Sequence, residues 1–390
     1  MGLSSRLAAT ALGLAIVLGW LTDRHRLIWL TVQNHPSRLP QLSAFADHQV
    51  ILADQLRNCE DVHLDEQRGF ALLSCDPGRD TWNTVMGTFI NASNPGTLYL
   101  YDYASAQNNP TAPHKHLHAL TLTNFPTTKR KTFHPLGLAY NKETSTLFVA
   151  NHAPPGPSIE LFTLNPTQHT LTHKQSITHP LLHGPNALLA LSPQELYITN
   201  DHRWPSAKYP VLNALETYTA YAGGTVVHAN LATGEYKVVA RLPFANGIAA
   251  LNASHLAVAS TTSPSVTIYL VTEGRGLERR LSIRTRFLVD NLSVDAKGRL
   301  VMAGHPFFPA LGELARRNYR FEGLGDGEGG RPRAPSWVAE WDGNVDGVVR
   351  DLFVDRGGVY GCSSGAVRDV SRGVGLVVGL YERGILVWRE

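Results

Sequence analysis

A pattern of two short strands separated by a turn recurs six times along the 390 residues of this chain. In the pattern a polar residue opens an apolar strand, a turn follows, and a second strand ends in small residues. The copies begin at Glu60, Leu136, Asn186, Asn246, Asn291 and Ser364, of which the last is the weakest match. The spacing leaves room for four strands per copy, as in the blades of a propeller. The repeat therefore predicts an all-β fold, a six-bladed β-propeller.

The composition agrees with a turn-rich globular protein. Hydrophobic residues make up 43% of the chain, and there are 34 Gly and 23 Pro. The formal net charge is only +3, and the basic clusters at 275–286 and 316–333 contain few aromatic residues on which bases could stack. We therefore expect no nucleic-acid binding.

The N-terminus carries a targeting signal. Arg6 precedes an uncharged run at residues 7–21, which Asp23 and Arg24 close. The run is slightly short for a bilayer span, yet no small-residue cleavage site follows it, which favours an uncleaved signal anchor over a cleaved signal peptide. We expect an anchor helix over 1–26 and a propeller over 27–390, with an insertion loop at about 306–335. The body would then be membrane-anchored and face the secretory lumen or the outside, or be secreted if the peptide is removed.

Three glycosylation sequons and three cysteines bear on the same compartment. The sequons begin at Asn91, Asn252 and Asn291 and fit a lumenal body. Cys59 and Cys75 lie symmetrically about a turn near residue 67, as two residues facing each other across a hairpin would. An oxidising compartment would let them form a disulfide and leave the third cysteine free, whereas a reduced protein would hold three buried thiols.

The repeat also predicts a metal site. Every innermost strand of a propeller begins at the same mouth of the central channel, so the residues that open the copies should form a ring there. Asp290 adds a second carboxylate to that of Glu60, and the other polar members are mainly amides. Such hard oxygen donors are the ligands that calcium prefers. The alternative is that each Asn only caps a turn, although several unpaired polar groups in a narrow channel would be costly without a ligand.

Several segments, taken in order, resemble the serum paraoxonase/arylesterase family. The most specific are residues 244–248 (Phe-Ala-Asn-Gly-Ile) and 289–291 (Val-Asp-Asn). Others are Glu60-Asp61, Asn151-His152, 199–202 and His305-Pro306. The resemblance covers roughly residues 50–306 and returns at the C-terminus. It implies a calcium-bearing six-bladed propeller that hydrolyses esters, with a hydrophobic segment at its N-terminus.

The resemblance also assigns ligands. It implies that the catalytic calcium is held by five residues: Glu60, Asn186, Asn246, Asp290 and Asn291. A second, structural calcium would use Asp61, the carbonyl of Leu138 and an acid directly after Asn186. Here that acid is Ala187, so the second ion should bind weakly.

The chain departs from the family at the proposed general base. Family members carry a His where this chain has Leu136, and leucine cannot accept a proton from water. His134 stands two residues earlier, and the partner of the missing His is retained as His152. The resemblance places three further residues beside the site: Asp201, His202 and His305. Any of these His residues could instead only hydrogen-bond to loops. Trp388 occupies the place of a C-terminal cysteine, so ring closure should rely on strand pairing.

Three functions follow as hypotheses. The first is a calcium-dependent hydrolase of lactones or aryl esters, acting on small apolar substrates, with the membrane segment favouring substrates from the bilayer. The second is a non-catalytic, membrane-tethered calcium-binding propeller that serves as an assembly or interaction factor, and Leu136 is its best support. The third is a gluconolactonase-like or strictosidine-synthase-like propeller, which should lack the pair of motifs at 244–248 and 289–291.

Overall fold

Six antiparallel sheets form a closed ring in the computed structural model, which describes residues 10, 12–19, 23–321, 332–344 and 347–390. The innermost strand of each sheet contacts the innermost strand of the next, and the sixth contacts the first. The predicted six-bladed propeller is therefore confirmed, and each copy of the repeat supplies the two inner strands of one blade.

The elements are numbered in chain order. The N-terminal segment contains α1 (Arg24–Gln33), β1 (Leu42–Ser43) and β2 (Asp47–Ile51). Blade 1 contains β3 (Cys59–Asp65), β4 (Phe70–Cys75), β7 (Thr97–Tyr101) and β8 (Leu117–Ala119), with a ribbon of β5 (Trp82–Asn83) and β6 (Thr88–Phe89) and a helix α2 (Tyr103–Asn108) in its loops. Blade 2 contains β9 (Thr121–Thr123), α3 (Thr127–Arg130), β10 (Pro135–Asn141), β11 (Thr146–Asn151), β12 (Ser158–Asn165) and β13 (Thr170–Ile177).

The remaining blades follow the same plan. Blade 3 contains β14 (Pro185–Ser192), β15 (Glu195–Asn200), α4 (Pro210–Thr219), β16 (Gly224–Asn230) and β17 (Glu235–Leu242). Blade 4 contains β18 (Ala245–Ala250), β19 (His255–Ser260), β20 (Ser265–Val271) and β21 (Leu277–Arg284). Blade 5 contains β22 (Leu288–Val294), β23 (Leu300–His305), α5 (Phe308–Arg317), β24 (Ser336–Trp341) and β25 (Arg350–Asp355). Blade 6 contains β26 (Ser363–Asp369), β27 (Val374–Gly379) and β28 (Ile385–Arg389).

Strand pairing closes the ring, as the absence of a terminal cysteine predicts. β2, from the N-terminal segment, is the outermost strand of blade 6 and pairs with β28 from Asp47 opposite Arg389 to Ile51 opposite Ile385. Trp388 is fully buried, and its ring stacks on Phe45 with 4.3 Å between the centroids. Both chain ends are thus held in one sheet by backbone hydrogen bonds and aromatic packing.

The core lies between the blades. All six residues of β11 are buried, as are all six of β23, although a strand with one solvated face would alternate. These strands have a neighbouring blade against each face, which is why their sequences read as continuous runs of apolar and small residues.

Cys59 and Cys75 form a disulfide between β3 and β4, where they are directly opposed. Cys362 is buried and free. The predicted pairing is confirmed, and the alternative of three buried thiols is wrong.

The predicted anchor falls partly on residues 1–9, 11 and 20–22, which lie outside the described part of the chain. Residues 12–19 are helical, and no helix within the described ranges is long and apolar enough to cross a membrane. The next helix, α1, is attached to the propeller by polar contacts. Arg24 donates to the carbonyl of Thr262 (2.7 Å) and Asn34 donates to that of Arg286 (2.6 Å). The N-terminal segment is thereby seated on loops of blades 4 and 5.

Candidate metal site and its cavity

The residues predicted to form a ring lie at irregularities in the innermost strands. In every blade, the register between the innermost strand and the next strand shifts at the residues that open the copy of the repeat. Examples are Glu60 in β3 and Asn246 in β18. The same shift occurs in the other four blades at Leu136, Asn186, Asp290-Asn291 and Ser364. A bulge redirects the side chain of the extra residue. In each blade the bulge lies at the start of the innermost strand and turns these side chains away from their regular alternation.

Direct hydrogen bonds connect these residues across blades. The Nδ2 group of Asn291 donates to Oε1 of Glu60 (2.8 Å) and to the Glu60 carbonyl (3.2 Å). Asn246 donates through Nδ2 to Oδ1 of Asp290 (2.7 Å). Ser364, which opens the sixth copy, donates to the Glu60 carbonyl (2.8 Å). The structure therefore brings together residues that lie up to 304 positions apart.

Three buried oxygens of this group have no hydrogen-bond partner among the described residues. They are Oε2 of Glu60, Oδ1 of Asn186 and Oδ1 of Asn246, which come from blades 1, 3 and 4. A buried acceptor without a partner destabilises a fold by about 1–3 kcal/mol. Three of them in one ring, all hard oxygens, fit a cation with oxygen ligands such as calcium.

The charge of the ring supports the same interpretation. Burial, followed by the nearby charges of Asp61 and Asp290, raises the pKa of Glu60 well above its ordinary value. A cation among these carboxylates would remove that repulsion. No cluster of three or more His, Cys, Asp or Glu side chains suited to a metal occurs within the described ranges. Any ion here would depend on amide oxygens as well as carboxylates.

The ring forms one end of an apolar cavity of about 180 Å³. Its polar lining includes Glu60, Asn186, Asn246 and Asp290 of the ring, together with Thr217, Thr261, Thr262 and His305. The apolar lining comes from loops, helices and the first residues of innermost strands: Leu27, Val85, Met86, Leu136, Phe244, Leu288, Phe308, Leu311 and Leu380. Leu27 belongs to α1, and Phe308 and Leu311 belong to α5. Sequence reasoning missed these helices, because they lie outside the copies of the repeat.

Of the predicted catalytic residues, His305 lines the cavity. Its Nε2–H group donates to Oδ2 of Asp290 (2.9 Å), and its Nδ1 lies 4.0 Å from Sγ of Cys362. Burial lowers the pKa of His305, but the hydrogen bonds to Asp290 and Cys362 outweigh burial and raise it to about 10. His305 is thus directly coupled to one of the ring carboxylates.

His152 and His134 lie outside the cavity. Nε2 of His152 donates to the Pro185 carbonyl (2.6 Å), so its Nδ1 accepts from the hydroxyl of Thr84. Burial lowers the pKa of His152, which favours the neutral ring. Both nitrogens of His134 face oxygen acceptors, the carboxylate of Asp76 and the carbonyl of Ala92, each at 3.0 Å. Both ring nitrogens of His134 are therefore engaged by the protein outside the cavity.

Leu136 separates the cavity from His152. Its side chain lines the cavity and also a much smaller void that it shares with His134 and His152. The family's missing imidazole would thus have stood between the ring and His152.

Asp201 and His202 form a pair in the neighbouring blade. Oδ1 of Asp201 lies 3.3 Å from Nδ1 of His202, and Nε2 of His202 contacts the Thr217 hydroxyl on α4 at 2.7 Å. Burial lowers the pKa of His202, but the hydrogen bond and charge of Asp201 raise it overall. Asp201 lines a separate cleft of about 240 Å³ together with His152.

The residues predicted to bind the second calcium ion leave fewer unpaired oxygens than those of the ring. The carboxylate of Asp61 accepts the backbone N–H groups of Val62 (2.8 Å) and Leu138 (2.7 Å). These two hydrogen bonds already satisfy both oxygens of the Asp61 side chain. Ala187 supplies no second carboxylate beside it.

Comparison with known proteins points to one family. A family model described as Arylesterase matches residues 86–313, more than half of the chain. Serum paraoxonase/lactonase 3 of Oryctolagus cuniculus is 30% identical over 218 residues, which cover 54% of this chain and 58% of that relative. Serum paraoxonase/arylesterase 1 of Homo sapiens is 29% identical over 222 residues, which cover 55% and 59% respectively. The matched part is therefore less than two thirds of either relative.

Solved structures share the fold at lower identity. A gluconolactonase from Xanthomonas campestris superposes with a TM-score of 0.52 at 13% identity, covering 90% of this chain and 94% of that one. Regucalcin, a calcium-binding protein from Agrobacterium tumefaciens, superposes with a TM-score of 0.51 at 13% identity, covering 90% and 95%. At this identity the likeness bears on the propeller fold alone.

Proposed function

Because this chain belongs to the arylesterase family, we propose that it is a calcium-dependent hydrolase of lactones or aryl esters. The observation that carries the proposal is the group of three buried, unpartnered oxygens at the polar end of an apolar cavity. The paraoxonase and lactonase names of the relatives support the choice of substrate class.

The ion would be held by Glu60, Asn186, Asn246, Asp290 and Asn291. When bound, calcium would supply a Lewis acid that polarises an ester carbonyl. The chain's own contribution is the cavity. Leu136 and Phe244 exclude water from it and favour an apolar acyl or aryl group, while His305 holds a proton at Nε2 against Asp290. His152 does not reach the cavity because Leu136 stands between them.

The non-catalytic, membrane-tethered propeller is the second candidate. The observation in its favour is that Leu136 occupies the position of the family's base, while the imidazoles of His134 and His152 that share a void with it are engaged with Asp76, Ala92, Pro185 and Thr84. In that case the same ion would only join the blades.

Hydrolysis of a panel of lactones and aryl esters, with and without calcium, separates these candidates. We expect turnover of apolar lactones by the purified full chain, loss of turnover on chelation, and recovery when calcium is returned, since the ion would be bound at the polar end of the cavity. Calcium binding without turnover of any member of the panel would favour the second candidate.

We also propose that the cavity mouth rests on a membrane. Apolar side chains are exposed on two helices beside the cavity: Ile28 and Trp29 on α1, and Val211 and Leu215 on α4, whose Thr217 lines the cavity. The apolar residues of 12–19 that precede α1 are exposed as well. A lipid bilayer is the partner that suits this arrangement, because the exposed apolar face of α1 continues directly from the predicted anchor in the sequence.

Hydrogen exchange of the full chain with and without phosphatidylcholine vesicles tests this placement. We expect slower exchange in α1 and α4 with vesicles, because lipid would cover their apolar faces. The control is the β24–β25 turn near Val348, whose side chain is 81% exposed at the opposite end of the propeller. Unchanged exchange in α4 would contradict the proposal even if the predicted anchor inserts.

A lumenal or extracellular location remains part of this proposal. The sequons at Asn91 and Asn252 are exposed and could carry glycans in such a compartment. Asn291 could not, because it is buried and its Nδ2 group is bonded to Glu60.

A further inference from the structure

The amide group of Asn246 is held in one orientation. Its Nδ2 group donates to two oxygens, Oδ1 of Asp290 (2.7 Å) and Oγ1 of Thr261 (3.0 Å). Its Oδ1 is buried and has no partner within the described ranges. An amide turned by half a rotation would set Oδ1 against these acceptors and aim its N–H groups at the ion. Whatever fixes this orientation therefore also fixes whether Asn246 can act as a ligand.

Thr261 is able to fix it independently of the ion. Its hydroxyl donates to the Val289 carbonyl (2.7 Å), so its single hydrogen is committed and only its lone pairs face Asn246. Asp290 also accepts from Asn246, but its carboxylate is itself a proposed ligand. Of the two acceptors of Asn246, Thr261 is therefore the one that is not itself a proposed ligand.

The location of Thr261 suits this role. It is buried, follows β19 of blade 4 and reaches Val289 in β22 of blade 5. The hydroxyl thus joins the two adjacent blades that provide Asn246, Asp290 and Asn291. Nothing in the repeat marks Thr261, because it follows the second strand of its copy rather than opening the first.

We propose that Thr261 is a positioning residue that sets the polarity of the Asn246 amide, so that Oδ1 rather than Nδ2 faces the bound cation. This inference rests on the proposed calcium site. Residues that hydrogen-bond to metal ligands and orient them contribute about 10–100-fold to metal affinity. We expect an effect near the lower limit, because Asp290 still holds Nδ2 when Thr261 is changed.

The test compares calcium affinity of the full chain in three variants by titration calorimetry. Thr261→Val keeps the shape and removes the hydroxyl, and it should weaken calcium binding about tenfold. Thr261→Ser keeps the hydroxyl and should stay within about twofold of the wild type. Thr285→Val makes the same change at another buried threonine, whose hydroxyl donates to the Phe287 carbonyl (2.8 Å) outside the cavity, and it should leave calcium affinity unchanged.

The outcomes are distinct. If the wild type binds no calcium, the proposed site itself fails. If the wild type binds calcium and Thr261→Val binds it equally well, the role of Thr261 is refuted. Equal weakening in all three variants would also refute it, because a general packing effect would then explain the loss. Should Thr261→Val not fold, Thr261→Ala replaces it with the same expected loss.

Discussion

Chelating calcium should lower the melting temperature of this protein, and Asn246→Ala or Asp290→Ala should remove most of that calcium response. A ligand that binds only the folded state stabilises it by about 2.7 kcal/mol when its concentration is a hundred times its dissociation constant. Asn246 and Asp290 would each supply a ligand oxygen, and they bond to each other at 2.7 Å. Thermal unfolding of the wild type and both variants, with calcium and with chelator, measures the response.

Asn252→Ala is the matched control. Asn252 is an exposed Asn in the turn between β18 and β19, so its replacement should leave the calcium response intact. If calcium raises the melting temperature of both site variants as much as that of the wild type, the proposed site is refuted.

The same response should depend on pH. In the calcium-free protein the pKa of Glu60 is raised, first by burial and then by Asp61 and Asp290. For an acid with a raised folded-state pKa, the folded state binds more protons than the unfolded state between the two pKa values. Stability without calcium therefore falls as the pH rises from the ordinary carboxyl pKa towards the raised one. Calcium competes with that proton, so its stabilising effect should grow as the pH rises from the ordinary carboxyl pKa towards the raised pKa of Glu60.

Leu136→His should increase hydrolysis by about a hundredfold or more, the contribution that general-base assistance typically makes. Leu136 lines both the cavity and the small void beside His152, so an imidazole there would adjoin the ring and His152 together. It would restore the arrangement that the family resemblance implies. The measurement is kcat/KM for a lactone or aryl ester that the wild type binds, as a function of pH, because the gain should follow the titration of an imidazole.

Leu136→Asn is the control for this gain. It places a polar group of comparable size at the same position without a titrating ring, so it should not raise the rate. Calcium affinity should barely change in either variant. If the wild type is already efficient and Leu136→His is neutral or harmful, another group carries the reaction. If neither protein hydrolyses any ester while both bind calcium, the hydrolase proposal fails and the tethered propeller is the better account.

Sequence reasoning reached the architecture because the repeat is a local signal. Each copy spells out two adjacent strands, and the number of copies sets the number of blades. The same signal brought Glu60, Asn186 and Asn246 together, since equivalent positions of a propeller repeat lie at the same height around the axis. Cys59 and Cys75 were paired for a similar reason, because the distance of each from the turn determines which residues oppose each other in a hairpin.

The tertiary structure alone decided which polar groups are available for chemistry. His134, His152 and His305 are the same residue type, but their hydrogen-bond partners differ. His134 contacts Asp76 and Ala92, and His152 contacts Pro185 and Thr84. His305 alone of the three contacts a ring residue, Asp290. The cavity wall from α1 and α5 and the bond from Thr261 to Asn246 were equally hidden. The physical reason is that repeat position determines where a residue lies along a strand, whereas hydrogen-bond partners and loop paths depend on packing between blades that are far apart in the chain.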